Sequence, residues 1–175
     1  KTNCCKVINI GMGLPDGDGD AQSKSMRQRL ELRDAYRKEI LPHLRHFDPD
    51  LIFISAGFDA HRKDTMNFGY VGMVEEDYEW VTEQLVKVAN SCCNGRIVSV
   101  LEGGDKIHGG IVSPFARSVA SHVRALVDGG KSRAQFDLQD CEWESQLERS
   151  MFERREKKKE QEREKLAAER RSYLE

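Results

Sequence analysis

Two short apolar runs separated by a stretch with helical periodicity constrain the fold of this chain more than any other feature. The first run, LIFIS, occupies residues 51–55, and the second, RIVSVL, occupies residues 96–101. Between them, apolar residues recur at three-to-four spacing from Glu75 to Asn90, which is typical of an amphipathic helix. Strands that alternate with helices favour a parallel sheet, because a right-handed crossover brings the second strand beside the first in the same direction.

Apolar spacing predicts further elements before and after these runs. Met26 to Leu44 repeats apolar residues every three or four positions and ends before Pro49, because the residue before a proline disfavours helical backbone. Phe115 to Val127 has the same helical spacing, and the β-branched run Val7 to Ile10 predicts one more strand. Strands this short and apolar are typical of a sheet that is buried on both sides. We therefore predict an α/β fold in which a parallel sheet carries helices on both faces.

The composition changes from Glu142 onward. Residues 153–165, ERREKKKEQEREK, contain no apolar side chain, and all except Gln161 are charged. Such a segment cannot line a core, so it predicts a helix that is exposed to solvent. The chain is therefore expected to have three parts: an α/β domain at 1–130, a linker at 131–141 and a charged helical extension at 142–175.

The charge and hydropathy of the chain give no support to some classes of partner. The net charge is -2, so the chain does not have the basicity expected for direct binding of nucleic acid or of an anionic membrane surface. No apolar run reaches the roughly 18 residues that a membrane helix needs, and the first residues do not have the order of a signal peptide. We therefore expect a soluble, intracellular protein without a nucleic-acid or membrane partner.

The residues after the two predicted strands are the candidates for chemistry, because the reactive groups of parallel sheets gather at the carboxyl ends of the strands. The first loop has the sequence SAGFDAH at 55–61 and carries Asp59 and His61. A carboxylate and an imidazole can contribute to a metal site; alternatively, an aspartate after a strand caps the next helix. The second loop, EGGDKIHGG at 102–110, contains glycines that can adopt positive φ.

Both loops carry motifs that resemble those of a known family. SAGFDAH at 55–61 and LEGG at 101–104, with a Gly-Tyr pair at 69–70 and a helix between them, resemble class II-like histone deacetylases of the arginase/deacetylase superfamily. The resemblance extends from about Val7 to about Val127 and leaves out the charged extension. It implies that the α/β domain is the C-terminal part of a deacetylase catalytic domain, with part of the arginase/deacetylase fold. It also implies a nuclear or cytoplasmic location and a role in chromatin and transcription regulation.

The resemblance implies roles for residues of both loops. Asp59 corresponds to an aspartate that binds zinc in the family, and His61 is expected either to support that ligand or to be a surface histidine. Phe58 is expected either to line the channel that holds the lysine side chain or to be ordinary packing. Gly103 and Gly104 are expected either to let the backbone approach that channel or simply to form a tight turn.

Two elements of the family have no counterpart upstream of the SAGFDAH motif. These are the D-x-H motif that supplies the other zinc ligands and the pair of adjacent histidines that acts as general base. A catalytic zinc ion normally has three protein ligands and one open position. We therefore expect Zn²⁺ to bind only together with upstream ligands, and the chain to be inactive by itself.

Asp105 stands where the family has a tyrosine, since the motif is LEGGD rather than LEGGY. In the family, the tyrosine hydroxyl donates a hydrogen bond to the substrate oxygen as negative charge develops. A preformed donor of this kind can stabilise the transition state by about 3 to 4 kcal/mol. An ionised aspartate only accepts hydrogen bonds, so we expect slow turnover of acetyl-lysine.

The resemblance as a whole implies a zinc-dependent histone or protein lysine deacetylase, which hydrolyses the acetyl-lysine amide. Its substrates would be acetylated lysines in histones or other proteins, and its partners corepressor-type proteins. The alternative is a catalytically dead, deacetylase-like interaction module. Asp105 favours this alternative, whereas the missing upstream motifs favour neither.

Overall fold

The computed structural model describes residues 7–12, 20–66, 71–104 and 107–172. Asp105 and the Gly-Tyr pair at 69–70 lie outside the described residues. The chain forms two compact units, at 1–138 and 139–175. Between the last two helices, residues 133–137 are not helical; the domain boundaries at 130 and 141 stay a prediction.

The described residues form five α-helices, a π-helical turn and two strands. In chain order the elements are α1 (Ala21–Ala35), the π-helical turn (Tyr36–Ile40), α2 (Leu41–Phe47), β1 (Ile52–Ala56), α3 (Glu75–Cys93), β2 (Ile97–Leu101), α4 (Pro114–Ser132) and α5 (Leu138–Ser172). β1 and β2 pair in parallel, with Ile52 opposite Ile97 and Ala56 opposite Leu101. Because parallel strands need a crossover, the chain passes through α3 between them. The predicted parallel α/β arrangement and the charged C-terminal helix are confirmed.

Short polar side chains determine where several helices begin and end. Asp20 caps α1, since its Oδ1 accepts a hydrogen bond from the backbone N–H of Ser23 (2.7 Å). Asp48 and Asn94 end α2 and α3 in the left-handed conformation, with φ of 54° and 52°. Aspartate and asparagine tolerate this conformation better than most residues.

A π-helical turn joins α1 to α2, where the sequence predicts one continuous helix. The backbone N–H of Leu41 donates to the carbonyl of Tyr36, one residue further back than in an α-helix. Pro42 follows this turn. Proline has no N–H to donate, and its ring crowds the carbonyl four residues before it. The wider turn accommodates Pro42, and Leu41 beside it is fully buried.

One face of the sheet carries the core. Two clusters of buried side chains lie against it: Leu41, Ile52, Val88, Ala89 and Cys93 in the first, and Ala56, Phe58, Met73 and Tyr78 in the second. On the opposite face Phe53, Val98 and Val100 are 69 %, 41 % and 48 % accessible. Within the described ranges, helices therefore cover one face of the sheet.

The predicted strand at Val7 to Ile10 is wrong. These residues have no regular secondary structure, and Val7 is 84 % accessible. A strand is stable only when its backbone groups pair with a neighbour. In the described part of the chain, β1 and β2 pair only with each other, so the β-branched composition of the run is not sufficient.

The C-terminal helix α5 has 35 residues and forms most of the second compact unit. It contains the charged run at 153–165, in which most side chains are exposed. Among the helices of the described residues, none combines the length and the apolar character that a membrane span requires.

Candidate functional site

The two predicted loops meet at the carboxyl end of the sheet. The N–H of Glu102 donates to the carbonyl of Ala56 (2.9 Å), and the N–H of Phe58 donates to the carbonyl of Gly103 (3.2 Å). These bonds continue the ladder beyond β1 and β2 and hold the SAGFDAH loop beside the LEGG loop. The predicted site residues that lie on these adjacent loops are Phe58, Asp59, His61, Gly103 and Gly104. Asp105, the remaining predicted residue, is outside the described residues.

Phe58 lies in the core beneath these loops. It is 2 % accessible, and its ring centroid lies 5.0 Å from that of Tyr78, 6.0 Å from that of Phe115 and 5.6 Å from that of His122. Its carbonyl accepts a hydrogen bond from the Tyr78 hydroxyl (3.0 Å). These surroundings are those of the packing alternative, and the channel role of Phe58 stays a prediction.

Asp59 lies in the exposed turn that follows Phe58. Burial raises the pKa of the Tyr78 phenol above its usual value, and the negative charge of Asp59 raises that pKa further. Among the residues that the structure describes, no group of three or more His, Cys, Asp or Glu side chains could hold a metal ion. The described residues therefore contain one predicted zinc ligand and do not by themselves form a zinc site.

His61 is buried, with 2 % of its surface accessible. Its Nδ1 accepts a hydrogen bond from the backbone N–H of Lys63 (3.1 Å), and its Nε2 lies 3.3 Å from Oε2 of Glu75. Because a backbone N–H can only donate, the proton of the neutral ring is on Nε2 and is donated to Glu75. The N–H of His61 also donates to the carbonyl of Phe58 (3.4 Å). The backbone of His61 therefore closes the turn around Asp59, and its two ring nitrogens fix the end of that turn to Lys63 and to Glu75.

Glu75 links the first loop to the start of α4. Besides the bond from His61, its Oε1 accepts a hydrogen bond from Nε of Arg117 (2.5 Å). Arg117 also donates from Nη1 to the carbonyl of Val112 (2.7 Å), in the segment that follows LEGG. Burial raises the pKa of Glu75, but hydrogen bonds from its backbone N–H, Arg117 and His61 outweigh it and lower the pKa to about 2. An ionised carboxylate thus connects the first candidate loop to the helix that follows the second.

Sequence reasoning missed both Glu75 and Arg117. Glu75 begins the acidic first turn of α3, a pattern that is common at helix starts and indicates no site by itself. Arg117 lies 42 positions later, and nothing in the spacing connects the two. Only the packing of α3 beside α4 brings them together.

Gly103 and Gly104 have φ of 88° and 134°, values that residues with a Cβ rarely adopt. At Gly104 a Cβ would also collide with the ring of Phe115, whereas at Gly103 nothing lies within 4 Å of the Cβ position. The tight-turn alternative accounts for both glycines. Their approach to a substrate channel stays a prediction.

Comparison with known proteins identifies the family of this chain. Residues 6–126 match the model of the histone deacetylase domain. Type-2 histone deacetylase 2 of Dictyostelium discoideum is 42 % identical over 93 residues, which are 53 % of this chain and 5 % of that relative. Histone deacetylase 14, chloroplastic, of Arabidopsis thaliana is 29 % identical over 142 residues, which cover 75 % of this chain and 30 % of that relative.

A solved structure of the HDA15 HD domain overlaps this chain with a TM-score of 0.47 and 24 % identity, covering 65 % of this chain and 30 % of that one. The chain thus spans less than a third of the length of each of these proteins. The family assignment depends on the match of residues 6–126, which is more than half of the chain. The chain belongs to the histone deacetylase domain family.

Proposed function

We propose that this chain is part of a zinc-dependent lysine deacetylase and contributes Asp59 to its metal site. The observation that supports this role is the construction of the SAGFDAH turn. Asp59 is exposed, while Phe58 before it and His61 after it are buried and hydrogen-bonded. A supported turn of this kind holds a carboxylate in one orientation, as a metal ligand requires. The other ligands would come from parts of the domain outside this chain.

We expect the whole protein to hydrolyse the acetyl-lysine amide in histones or other proteins. Zinc, when bound, supplies a Lewis acid and an activated water for such a reaction. Support for this chemistry comes from membership of the family and from relatives that are named histone deacetylases. We also propose a nuclear or cytoplasmic location and corepressor-type partners, as the sequence resemblance implies.

A second candidate function is that of a catalytically dead interaction module. Asp105 favours it, because the family's tyrosine donates a hydrogen bond to the substrate oxygen and an ionised aspartate cannot. Loss of one such donor lowers the rate by about 100-fold to 1000-fold. The two candidates share the fold and differ in turnover.

Zinc content tests the metal role in the longer protein that carries this chain. Asp59→Asn keeps the size of the side chain and removes its charge, so we expect bound zinc to fall to about a tenth or less of the wild-type amount. Asp128→Asn changes an exposed aspartate on α4 and should retain full zinc. Equal zinc in wild type and Asp59→Asn would contradict the assignment of Asp59.

Turnover separates the two candidate functions. Hydrolysis of an acetyl-lysine peptide should be about 100-fold faster, or more, in Asp105→Tyr than in the wild type. A wild type that binds zinc but does not hydrolyse the peptide would favour the interaction module. Equal and high activity in both proteins would contradict the role that we assign to Asp105.

A further inference from the structure

His122 of α4 lies at the centre of a hydrogen-bond chain that crosses the core. It is 7 % accessible. Its Nε2 lies 2.8 Å from Oγ of Ser99 on β2, and its Nδ1 lies 2.7 Å from Oγ1 of Thr82 on α3. The Thr82 hydroxyl donates to the carbonyl of Tyr78 (2.6 Å), and the Tyr78 hydroxyl donates to the carbonyl of Phe58 (3.0 Å). The first of these bonds ends at the backbone of Tyr78 and the last begins at its side chain, so Tyr78 itself joins the hydrogen bonds from the sheet to the SAGFDAH loop.

The hydrogen-bond partners of Thr82 and His122 determine which atom carries each proton. The Thr82 hydroxyl has one proton, which goes to the carbonyl of Tyr78, so Thr82 can only accept from His122. Nδ1 of His122 therefore carries a proton. In the neutral ring, Nε2 then accepts from the Ser99 hydroxyl, and each group in the chain has a partner of the right kind.

The surroundings of His122 favour this neutral ring. Burial lowers the pKa of His122, because an apolar environment disfavours the charged form. The imidazole also packs edge-on against the ring of Phe58, with 5.6 Å between the centroids. This ring contact links His122 to Phe58 a second time, independently of the hydrogen bonds.

Packing alone does not require a histidine here. An apolar side chain could fill the space beside Phe58 without needing a partner for each ring nitrogen. A buried polar network whose members are all paired favours one arrangement of the core over others. Such an arrangement is useful where a neighbouring turn must keep one conformation.

We propose that His122 is a positioning residue for Asp59. As a neutral imidazole with its proton on Nδ1, it holds Thr82 and Tyr78 so that the Tyr78 hydroxyl fixes the carbonyl of Phe58. That carbonyl belongs to the peptide bond between Phe58 and Asp59, so its orientation sets the direction in which Asp59 leaves the strand. The effect on zinc rests on the proposed function, whereas the effect on the turn does not.

The protonation of His122 is tested by NMR on the whole chain, labelled with ¹⁵N. Two-bond ¹H–¹⁵N correlations of the imidazole report which ring nitrogen carries the proton. We expect the proton of His122 on Nδ1 at neutral pH. A proton on Nε2 would overturn the proposal without any variant being needed.

A matched pair of variants tests the link to Asp59. Thr82→Val removes the hydroxyl and keeps the shape of the side chain, whereas Thr82→Ser keeps the hydroxyl. We expect Thr82→Val to move the proton of His122 toward Nε2 and to shift the amide resonances of Phe58 and Asp59. In Thr82→Ser, the proton and these resonances should stay as in the wild type. Unchanged Asp59 resonances in folded Thr82→Val would overturn the proposal. If Thr82→Val does not fold, Ser99→Ala removes the hydrogen bond to Nε2 of His122 instead. Unchanged amide resonances of Asp59 in this variant would likewise overturn the proposal.

Zinc affinity of the longer protein separates this proposal from the proposed function. Thr82→Val should weaken zinc binding by about tenfold, as loss of a group that supports a ligand commonly does. Thr82→Ser should bind zinc as tightly as the wild type. If the wild type binds no zinc, the proposed function fails, and the resonances of Asp59 decide the positioning role. If zinc binds and Thr82→Val leaves its affinity unchanged, the positioning role fails and the metal site stands.

Discussion

Nε of Arg117 donates to Oε1 of Glu75 across 2.5 Å, and this pair joins the first turn of α4 to the first turn of α3. The other oxygen of Glu75 lies 3.3 Å from Nε2 of the buried His61. Since His61 lies two residues after Asp59, the carboxylate of Glu75 anchors the loop that carries the candidate ligand. One side chain therefore couples the SAGFDAH loop to the helix that follows the LEGG loop.

This coupling predicts a pH dependence of stability. Although burial opposes it, hydrogen bonding lowers the pKa of Glu75 from its ordinary value of 4.5 to about 2. A carboxyl group with a lowered pKa stabilises the folded state fully above its unfolded pKa and loses that effect as the pH falls through its folded pKa. We expect the contribution of Glu75 to be complete above pH 4.5 and lost on acidification to about pH 2.

Urea unfolding over this range checks the prediction. The free energy of unfolding of Glu75→Gln should fall less steeply with acidification than that of the wild type. Glu76→Gln changes the exposed neighbour on the same turn and should follow the wild type. A wild-type slope in Glu75→Gln would show that another group titrates.

Periodicity in the sequence predicted the helices and strands well, and for physical reasons. The apolar spacing of α3 reports the face that it buries, and Asn94 at its end has a side chain that tolerates left-handed backbone. Parallel pairing then brings Asp59 and Gly103 to one edge of the sheet, because the strands point the same way.

Contacts between distant residues could not be predicted in this way. The buried His61 bonds to Glu75, which in turn pairs with Arg117, and spacing along the chain does not encode such pairings. His122 depends in the same way on Thr82 and Ser99, which belong to two other elements. Val7 to Ile10 shows the opposite error, since a run with strand composition forms no strand without a neighbour.

We expect truncation of the Asp77 side chain to lower the stability of the fold strongly. Its side chain is fully buried and accepts hydrogen bonds from Arg29 (2.6 Å), Arg33 (2.9 Å) and the N–H of Val74 (3.0 Å). Asp77→Ala removes a shared acceptor from both guanidinium groups and from the start of α3. Removal of one partner from a buried ion pair costs about 3 to 5 kcal/mol, so we expect the free energy of unfolding in denaturant to fall by about 3 kcal/mol.

The control for this change is Asp128→Ala, which truncates an exposed aspartate on α4. It should alter the free energy of unfolding by no more than about 0.5 kcal/mol. A loss in Asp77→Ala as small as that of the control would mean that the two arginine pairs contribute little to stability.

We expect substitution by alanine to change the stability of the fold in opposite directions at Gly104 and at Gly130. Gly104 has φ of 134°, and a Cβ there would collide with the ring of Phe115. Gly104→Ala should therefore lower the free energy of unfolding by about 1 to 3 kcal/mol. Gly130 lies in α4 with nothing within 4 Å of the Cβ position, so Gly130→Ala should raise it by about 0.5 to 1 kcal/mol. Thermal unfolding measures both, and shifts of the same sign would contradict the backbone argument.

We expect the isolated chain to self-associate through the face of the sheet that no helix of the described residues covers. Phe53, Val98 and Val100 are exposed there, and contiguous apolar surface in water favours association. Replacing Phe53 and Val100 by threonine keeps strand propensity and removes apolar area, so sedimentation velocity should show fewer oligomers.

A matched control replaces Val123 and Val127, each 49 % accessible on α4, by threonine. This double variant removes exposed apolar groups from a helix instead of from the sheet. It should associate as the wild type does. If the helix variant loses its oligomers and the sheet variant keeps them, association occurs through α4.

The exposed face of the sheet also bears on the solubility of this sequence in a cell. Aromatic and aliphatic groups that are exposed to water lower the solubility of a polypeptide and make it a target for chaperones and proteases. We therefore expect Phe53 and its neighbours to be shielded from water in the cell, by further residues of the same polypeptide or by a second molecule.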